Sequence, residues 1–289
     1  MTLIETDETE HSERGPSTAH RWRLCPGSVE RSRGIPNVAG IDAAHGTVFH
    51  DYAAMCLEFE TDPQAFVGEK MLVKPHGWIT FDQAMANHML NGLDILWALM
   101  NEPGAKWIVE KRVSLENWIG PGEFGTTDFM LWNTTSWRIV IWDWKYGAGV
   151  PVSPEENDQA ILYFLGAWDQ FAKEEFFNEH WARMESTIHD GSEDIYSIPD
   201  VPVQVMIEQP RAKGGGGTWN TTVSELLRLG EQIKRDARET YKPGAAIRPG
   251  EKQCRFCPAA RVNACEDRAR FMVEALGADF DDLEDPEAE

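Results

Sequence analysis

The run Glu123–Lys145, EFGTTDFMLWNTTSWRIVIWDWK, constrains the fold of this chain more than any other stretch. Ser136–Lys145 is rich in Val, Ile and Trp, Phe129–Trp132 is its apolar neighbour, and Asn133-Thr134-Thr135 between them has the composition of a turn. The run therefore predicts a strand hairpin. Side chains alternate faces along a strand, so Asp143 and Lys145 point one way and Trp144 the other, with Asp128 on the partner strand. Two carboxylates and an ammonium brought together from neighbouring strands suit a divalent cation, leaving the lysine to position water or offset developing negative charge. Taken alone, an Asp-x-Lys triplet describes an ordinary ion pair on a sheet edge equally well, because a motif needs its structural context.

The flanking pattern supplies that context. Apolar residues at helical spacing predict helices over Ala44–Phe59 and Phe81–Met100. In the first, His50, Ala53, Ala54 and Leu57 share a face, which turns His50 inward. Strand-like segments follow at Lys106–Leu115, Glu123–Trp132 and Ser136–Trp144, making a meander. Pro154–Phe177 reads as one long helix with Ser153 as cap and Pro154 in the first position, and it carries Gln159 and Tyr163 four apart on one face. Val201–Gln209 reads as another strand. The glycines of Lys213–Gly217 lack a following Gly-Lys-Ser/Thr and read as a flexible connector rather than a phosphate loop. Thr218–Thr222 and an amphipathic helix over Val223–Tyr241 complete the pattern. This order predicts an α/β (α+β) fold with a mixed central sheet flanked by helices, not a strictly alternating parallel sheet.

The 289 residues suffice for one large domain, expected over residues 17–275, with Ser17 capping a short helix through Cys25. Residues 1–16 and 276–289 read as disordered acidic tails. The net charge of −21 argues at first against a nucleic-acid partner, but those tails carry much of it. Arg21, Arg23, Arg31 and Arg33 flank the first cysteine, and Lys252, Arg255, Arg261, Arg268 and Arg270 surround the last three, a pattern that fits a phosphate-binding surface. No apolar run approaches a membrane span, and the acidic start lacks the regions of a signal peptide, so a cytoplasmic location is expected, that of the host cell if the chain is phage-encoded. In that compartment Cys254-x2-Cys257-x7-Cys265 reads as a metal or cluster site rather than a disulfide framework. The fourth thiolate is expected from Cys25, because Cys56 sits in the apolar pattern of a helix and reads as core.

Together these residues resemble the RecB-type branch of the PD-(D/E)XK nucleases, in the version carrying a four-cysteine iron–sulfur cluster, as in the CRISPR-associated adaptation exonuclease and the AddB subunit of bacterial recombination nucleases. His20–Ser28 (HRWRLCPGS) and His45–Ala53 (HGTVFHDYA) are also similar to phage and prophage proteins of this branch. The resemblance spans roughly Ser17 to Cys265 and implies a restriction-endonuclease-like core with the cysteines joining the N- and C-terminal segments. It implies that His50, in Gly46–His50, lies at the metal site, that Asp128 and Asp143 are metal ligands, and that Lys145 is the catalytic lysine. Gln159 and Tyr163 match the helix motif Gln-x3-Tyr, whose side chains contact the site or the DNA backbone. The Trp144 carbonyl is expected as a further ligand and Glu110 as an outer carboxylate. Cys25, Cys254, Cys257 and Cys265 are expected to hold a [4Fe–4S] cluster, with Zn²⁺ as the alternative that the same four sulfurs accept.

The expected reaction is Mg²⁺- or Mn²⁺-dependent hydrolysis of DNA phosphodiester bonds, as an exonuclease in phage or prophage recombination or DNA processing. Two other classes are open: a non-catalytic DNA-binding or assembly protein on the same fold, and a zinc-stapled protein that recruits a partner through its acidic tail. A single-strand annealing or other recombination protein is the expected partner besides DNA, with no membrane involved.

Overall fold

Strands rich in β-branched and aromatic residues build the centre of the protein, and helices close both of its faces. The computed structural model describes residues 12–36, 40–187 and 199–281. A 3-10 turn at Pro16–Thr18 leads into α1 (Ala19–Leu24), α2 (Ser28–Ser32) and α3 (Ile41–Phe59). A small hairpin, β1 (Lys70–Val73) and β2 (Gly77–Thr80), precedes α4 (Gln83–Met100). The expected meander follows as β3 (Ala105–Ser114), β4 (Phe124–Asn133) and β5 (Arg138–Trp144). Then come α5 (Asp158–Ala167), α6 (Lys173–Thr187), β6 (Pro202–Glu208), β7 (Gly217–Thr222) and α7 (Val223–Glu239). The last elements are α8 (Glu251–Cys254), α9 (Pro258–Arg261) and α10 (Glu266–Asp281).

The five-stranded sheet has the order β3-β4-β5-β6-β7. β5 and β6 run parallel, and every other neighbouring pair is antiparallel. The sheet is therefore mixed and flanked by helices, as the element order predicts. Strict alternation along β4 and β5 divides the core. Phe129, Leu131, Val140, Trp142 and Trp144 pack with residues of α3 and α4, and Met130, Trp132, Ile139 and Ile141 pack with those of α5 and α7. Each fully buried Ile or Leu contributes about 1.5–3 kcal/mol by removal from water, so a one-residue slip in register is strongly disfavoured. Asp128, Asp143 and Lys145 share the parity of the second set, which places them on the α5 face.

Four local expectations are corrected. The helix expected from Pro154 begins at Asp158, capped by Asn157, whose Oδ1 accepts from Ala160 N at 3.1 Å. Glu156 has a left-handed backbone (φ 49°), which no α-helix through residues 154–157 can contain, and Ser153 caps nothing longer than a turn. The helix is also interrupted, because Trp168–Ala172 forms a π-helical turn before α6. Ser17 lies within the 3-10 turn, and α1 opens at Thr18 without a side-chain cap. Residues 12–16 are not a free tail. Arg14 is buried, with Nη1 3.0 Å from Glu123 Oε1, Nε donating to Thr240 Oγ1 at 2.6 Å and Cζ 3.7 Å from the centre of the Tyr241 ring. The tail expectations for residues 1–11 and 282–289 lie outside the described residues, and the backbone of residues 276–281 continues α10. The glycine loop after β6 is pinned to the segment beyond β5, since Gly216 N donates to Val152 O at 2.8 Å. No helix among the described residues is long and apolar enough to cross a membrane.

Candidate metal centre

β4 and β5 part at the end that carries the acids. Their ladder closes at Phe129↔Trp142, so the next residues in register are Asp128 and Asp143. Beyond that point the Trp144 N–H donates to Asp128 Oδ2 at 2.7 Å, a carboxylate taking over where the β4–β5 ladder has ended. On the other side of β4 the ladder passes from Val109↔Phe129 to Lys111↔Thr127, leaving Glu110 across from Asp128. Glu110 has a left-handed φ of 39°, a strained state for a non-glycine residue that costs on the order of 1–3 kcal/mol. This conformation delivers its carboxylate to the centre rather than to solvent. His50 of α3 completes the group: its Nδ1 lies 3.3 Å from Asp128 Oδ2 and 3.7 Å from Glu110 Oε1. One donor atom from each of His50, Glu110 and Asp128 lies within 4.8 Å of the other two.

Asp143 faces Lys145, whose Nζ is 2.8 Å from Asp143 Oδ2 and 3.0 Å from Oδ1. The same Nζ donates to Gln159 Oε1 at 2.8 Å, and Gln159 Nε2 donates to Tyr163 Oη at 2.8 Å. Helical spacing on α5 aligns Gln159 and Tyr163, and the parallel pairing of β5 with β6 holds the strand end, since Lys145 N donates to Glu208 O at 2.8 Å. Trp144 lies almost wholly buried among the aromatics of the α3 and α4 face.

Burial and crowding of like charge set the electrostatics. Burial disfavours the charged His50 imidazolium, yet the charges and hydrogen bonds of Asp128 and Glu110 overcome this and raise its pKa well above the ordinary value. Burial alone would raise the Asp128 carboxyl, but His50, Lys145 and the Trp144 N–H outweigh it and hold Asp128 below the usual carboxylate range. Asp143 is raised, by burial and then by the Asp128 charge, in spite of Lys145. Glu110 is raised chiefly by burial, against its hydrogen bond with His50. Tyr163 is pushed well up by burial and by the charges of Asp128 and Asp143.

Three contributors escaped the sequence reading. Ser12, Gly15 and Pro16 line the cavity over the centre, although residues 1–16 read as tail. Arg112 lines the same cavity, its guanidinium 3.4 Å from the centre of the Phe124 ring. Asp51, beside His50, has a buried Oδ2 without a hydrogen-bond partner, and burial raises its carboxyl to about 6. Its place next to a candidate histidine was the available signal.

Cys25, Cys254, Cys257 and Cys265 line one small cavity where the two ends of the described chain meet, α1 packing on α8 and α2 on α9. Cys25 Sγ accepts from Arg248 N at 3.2 Å, Cys254 Sγ accepts from Gly250 N at 3.4 Å, and Cys257 Sγ lies 3.7 Å from Ser32 Oγ. The seven residues between Cys257 and Cys265 accommodate the one-turn helix α9. Cys56 is fully buried in the α3 and α4 core, as expected, and burial pushes its thiol up to about 12.

The sequence matches the family described as "Protein of unknown function (DUF2800)" over residues 11–184 and 189–289. The chain belongs to this family. The carboxylate cluster, Lys145 and all four cavity-lining cysteines of this DUF2800 chain fall within the matched residues. Part of its basic clusters is spent internally: Arg23 pairs with Asp158 and Asp236, Arg33 with Glu13, and Arg270 with Asp267. Arg21 is instead buried beside the cysteines.

Proposed function

We propose that this DUF2800 protein is a metal-dependent nuclease on a PD-(D/E)XK core, hydrolysing DNA phosphodiester bonds. The observation that carries the reading is the convergence of His50, Glu110 and Asp128 within reach of one ion, beside an Asp143–Lys145 pair at a parted strand end. The donor set fits a hard divalent ion: two carboxylates and one imidazole, with the buried Asp143 carboxylate held beside them by Lys145. When bound, Mg²⁺ or Mn²⁺ supplies Lewis acidity at the phosphoryl oxygen and lowers the pKa of water.

The chain's own residues do the rest. Asp128, fixed by the Trp144 N–H, and Asp143 present ligand oxygens, with the Trp144 carbonyl as a further candidate. Lys145, tethered between Asp143 and Gln159, places its ammonium where negative charge grows on the phosphorane or orients the attacking water. Gln159 donates to the Tyr163 oxygen, which leaves the phenolic proton to point at the phosphate. Exonuclease action and a role in phage recombination beside an annealing protein rest on the family resemblance alone.

The four cysteines line one cavity and two of them accept backbone N–H bonds, which supports a group held by thiolates, while among the described residues no three of the sulfurs lie within 4.8 Å of one another. A [4Fe–4S] cluster is the reading favoured by resemblance, and Zn²⁺ is its rival. Such a staple would hold α1 and α2 against α8 and α9.

A second reading, a DNA-binding or assembly protein without catalysis, draws on the net charge of −21 and on the internal pairing of Arg23, Arg33 and Arg270. Incubation of the purified protein with DNA in Mn²⁺ and in EDTA separates the two. A nuclease consumes DNA only with the ion, whereas a scaffold binds it and leaves it whole in both.

A further inference from the structure

The cavity over the metal centre continues past Lys145. Ser17, Thr18 and Lys145 line both it and a second groove, which runs on beside His20 and Arg21 to Phe256 and Arg261 on the cysteine-bearing segment. The groove thus connects the two sites that the sequence places far apart.

Its lining has a consistent chemistry. His20, Arg21, Lys145 and Arg261 supply cationic or donor groups, and the one carboxylate residue among the described lining, Asp42, lies 3.5 Å from Arg211. Arg21 sits within the wall, 7% exposed and with its Nε buried near Cys25 and Cys257, so it lends positive charge to the groove rather than an open donor. Gly40, Gly46, Gly147 and Gly149 line the groove too, and a Cβ added at any of them would meet nothing within 4 Å. Backbone is therefore open to close approach by another polymer there. At the far end the Phe256 ring is 47% exposed although it directly precedes buried Cys257, and the Arg261 guanidinium sits 5.9 Å from its centre.

A cationic groove that ends on an exposed aromatic ring suits a single strand of nucleic acid. A duplex hides its base faces in its own stack and has none to offer Phe256. We propose that this groove holds one unpaired strand of DNA leading to the metal centre, with a base stacked on Phe256 and a phosphate at Arg261, in the positive field of Arg21. The proposal rests on the nuclease reading for the direction of the strand, and the cysteine segment acquires a second role as the mount for the stacking ring.

The test is equilibrium binding of a fluorescent oligothymidylate and of a closed hairpin duplex to the full-length, cysteine-loaded protein in Ca²⁺, with turnover in Mn²⁺ read separately. Phe256→Ala should weaken the single strand about 5- to 150-fold, and Phe256→Trp should retain it. Arg261→Gln should lower the slope of log K against log salt by about 0.7, one phosphate contact on a single strand. Equal affinity of wild type and Phe256→Ala overturns the proposal. So does a loss shared by Phe256→Ala and Phe256→Trp, which would reveal a packing role, or a wild type that prefers the duplex. A wild type that holds the single strand through Phe256 but cuts no DNA supports the groove and sinks the nuclease reading instead.

Discussion

Gln159 joins Lys145 to Tyr163: its Oε1 accepts from Lys145 Nζ and its Nε2 donates to Tyr163 Oη, each at 2.8 Å. Because the ammonium can only donate, it fixes which end of the amide faces it, and the other end must then donate to the phenol. The phenolic hydrogen is thereby turned away from Gln159. One side chain on α5 sets the orientation of two groups in the proposed reaction.

Lys145→Ala should lower single-turnover cleavage by on the order of a hundredfold or more, since the ammonium acts on charge that develops in the transition state. DNA affinity should fall only by the share of one groove cation, far less than the rate. Gln159→Leu leaves both partners in place but unaligned, and about tenfold is expected from one charge-assisted hydrogen bond. A quench-flow rate for each variant, beside its DNA affinity, checks the order.

Metal binding should be linked to the His50 proton. Asp128 and Glu110 raise this pKa in the metal-free protein, so an incoming ion must displace a proton over a wide range below the raised value. Mn²⁺ affinity should therefore rise with pH, by up to about tenfold per unit for one proton released. Calorimetry in buffers of different ionisation enthalpy reads the proton directly. His50→Gln should flatten the slope.

Gly166 lets α5 lie close on β3, because a Cβ there would sit 2.8 Å from Val113 Cγ2 and 3.0 Å from Ser114 O. Gly166→Ala should cost about 1–3 kcal/mol by overpacking, beyond any gain in helix propensity. The denaturant midpoint measures it, and the shift of α5 should reduce cleavage as well through Gln159 and Tyr163.

The five thiols should divide four to one. If the four hold the proposed group, its removal by chelator should let Cys254 and Cys265 react fast with a thiol reagent in the folded protein, and buried Cys25 and Cys257 more slowly. Cys56, fully buried and pushed up to about 12, should react only on unfolding. Metal analysis of the untreated protein distinguishes iron with sulfide from zinc.

The hairpin of β4 and β5 was legible because two runs rich in β-branched and aromatic residues flank the turn-like Asn133-Thr134-Thr135, a local signal. Inward-facing His50 and the Gln159–Tyr163 pair were legible for the same reason, through helical period. The parallel pairing of β5 with β6 was not, since it joins Ile139–Trp144 to Val203–Glu208 across two helices, and nothing in either strand alone encodes a distant partner. The burial of Arg14 was hidden because a long-range ion pair with Glu123 and a stacked Tyr241 make it part of the fold while its neighbours read as tail. The left-handed backbone of Glu110 was equally hidden. The resemblance marked Glu110 as an outer carboxylate, but the conformation that turns it to His50 is set by the fold.

The most direct test of the nuclease reading is DNA degradation in Mn²⁺ by wild type and Asp143→Asn, with folding of the variant checked by circular dichroism. The substitution keeps the side chain's size and removes its charge. Wild type should consume DNA in Mn²⁺ but not in EDTA, and the variant should fall by a factor of about a hundred or more. Equal degradation by the two proteins, or none by the metal-loaded wild type, would contradict the assignment.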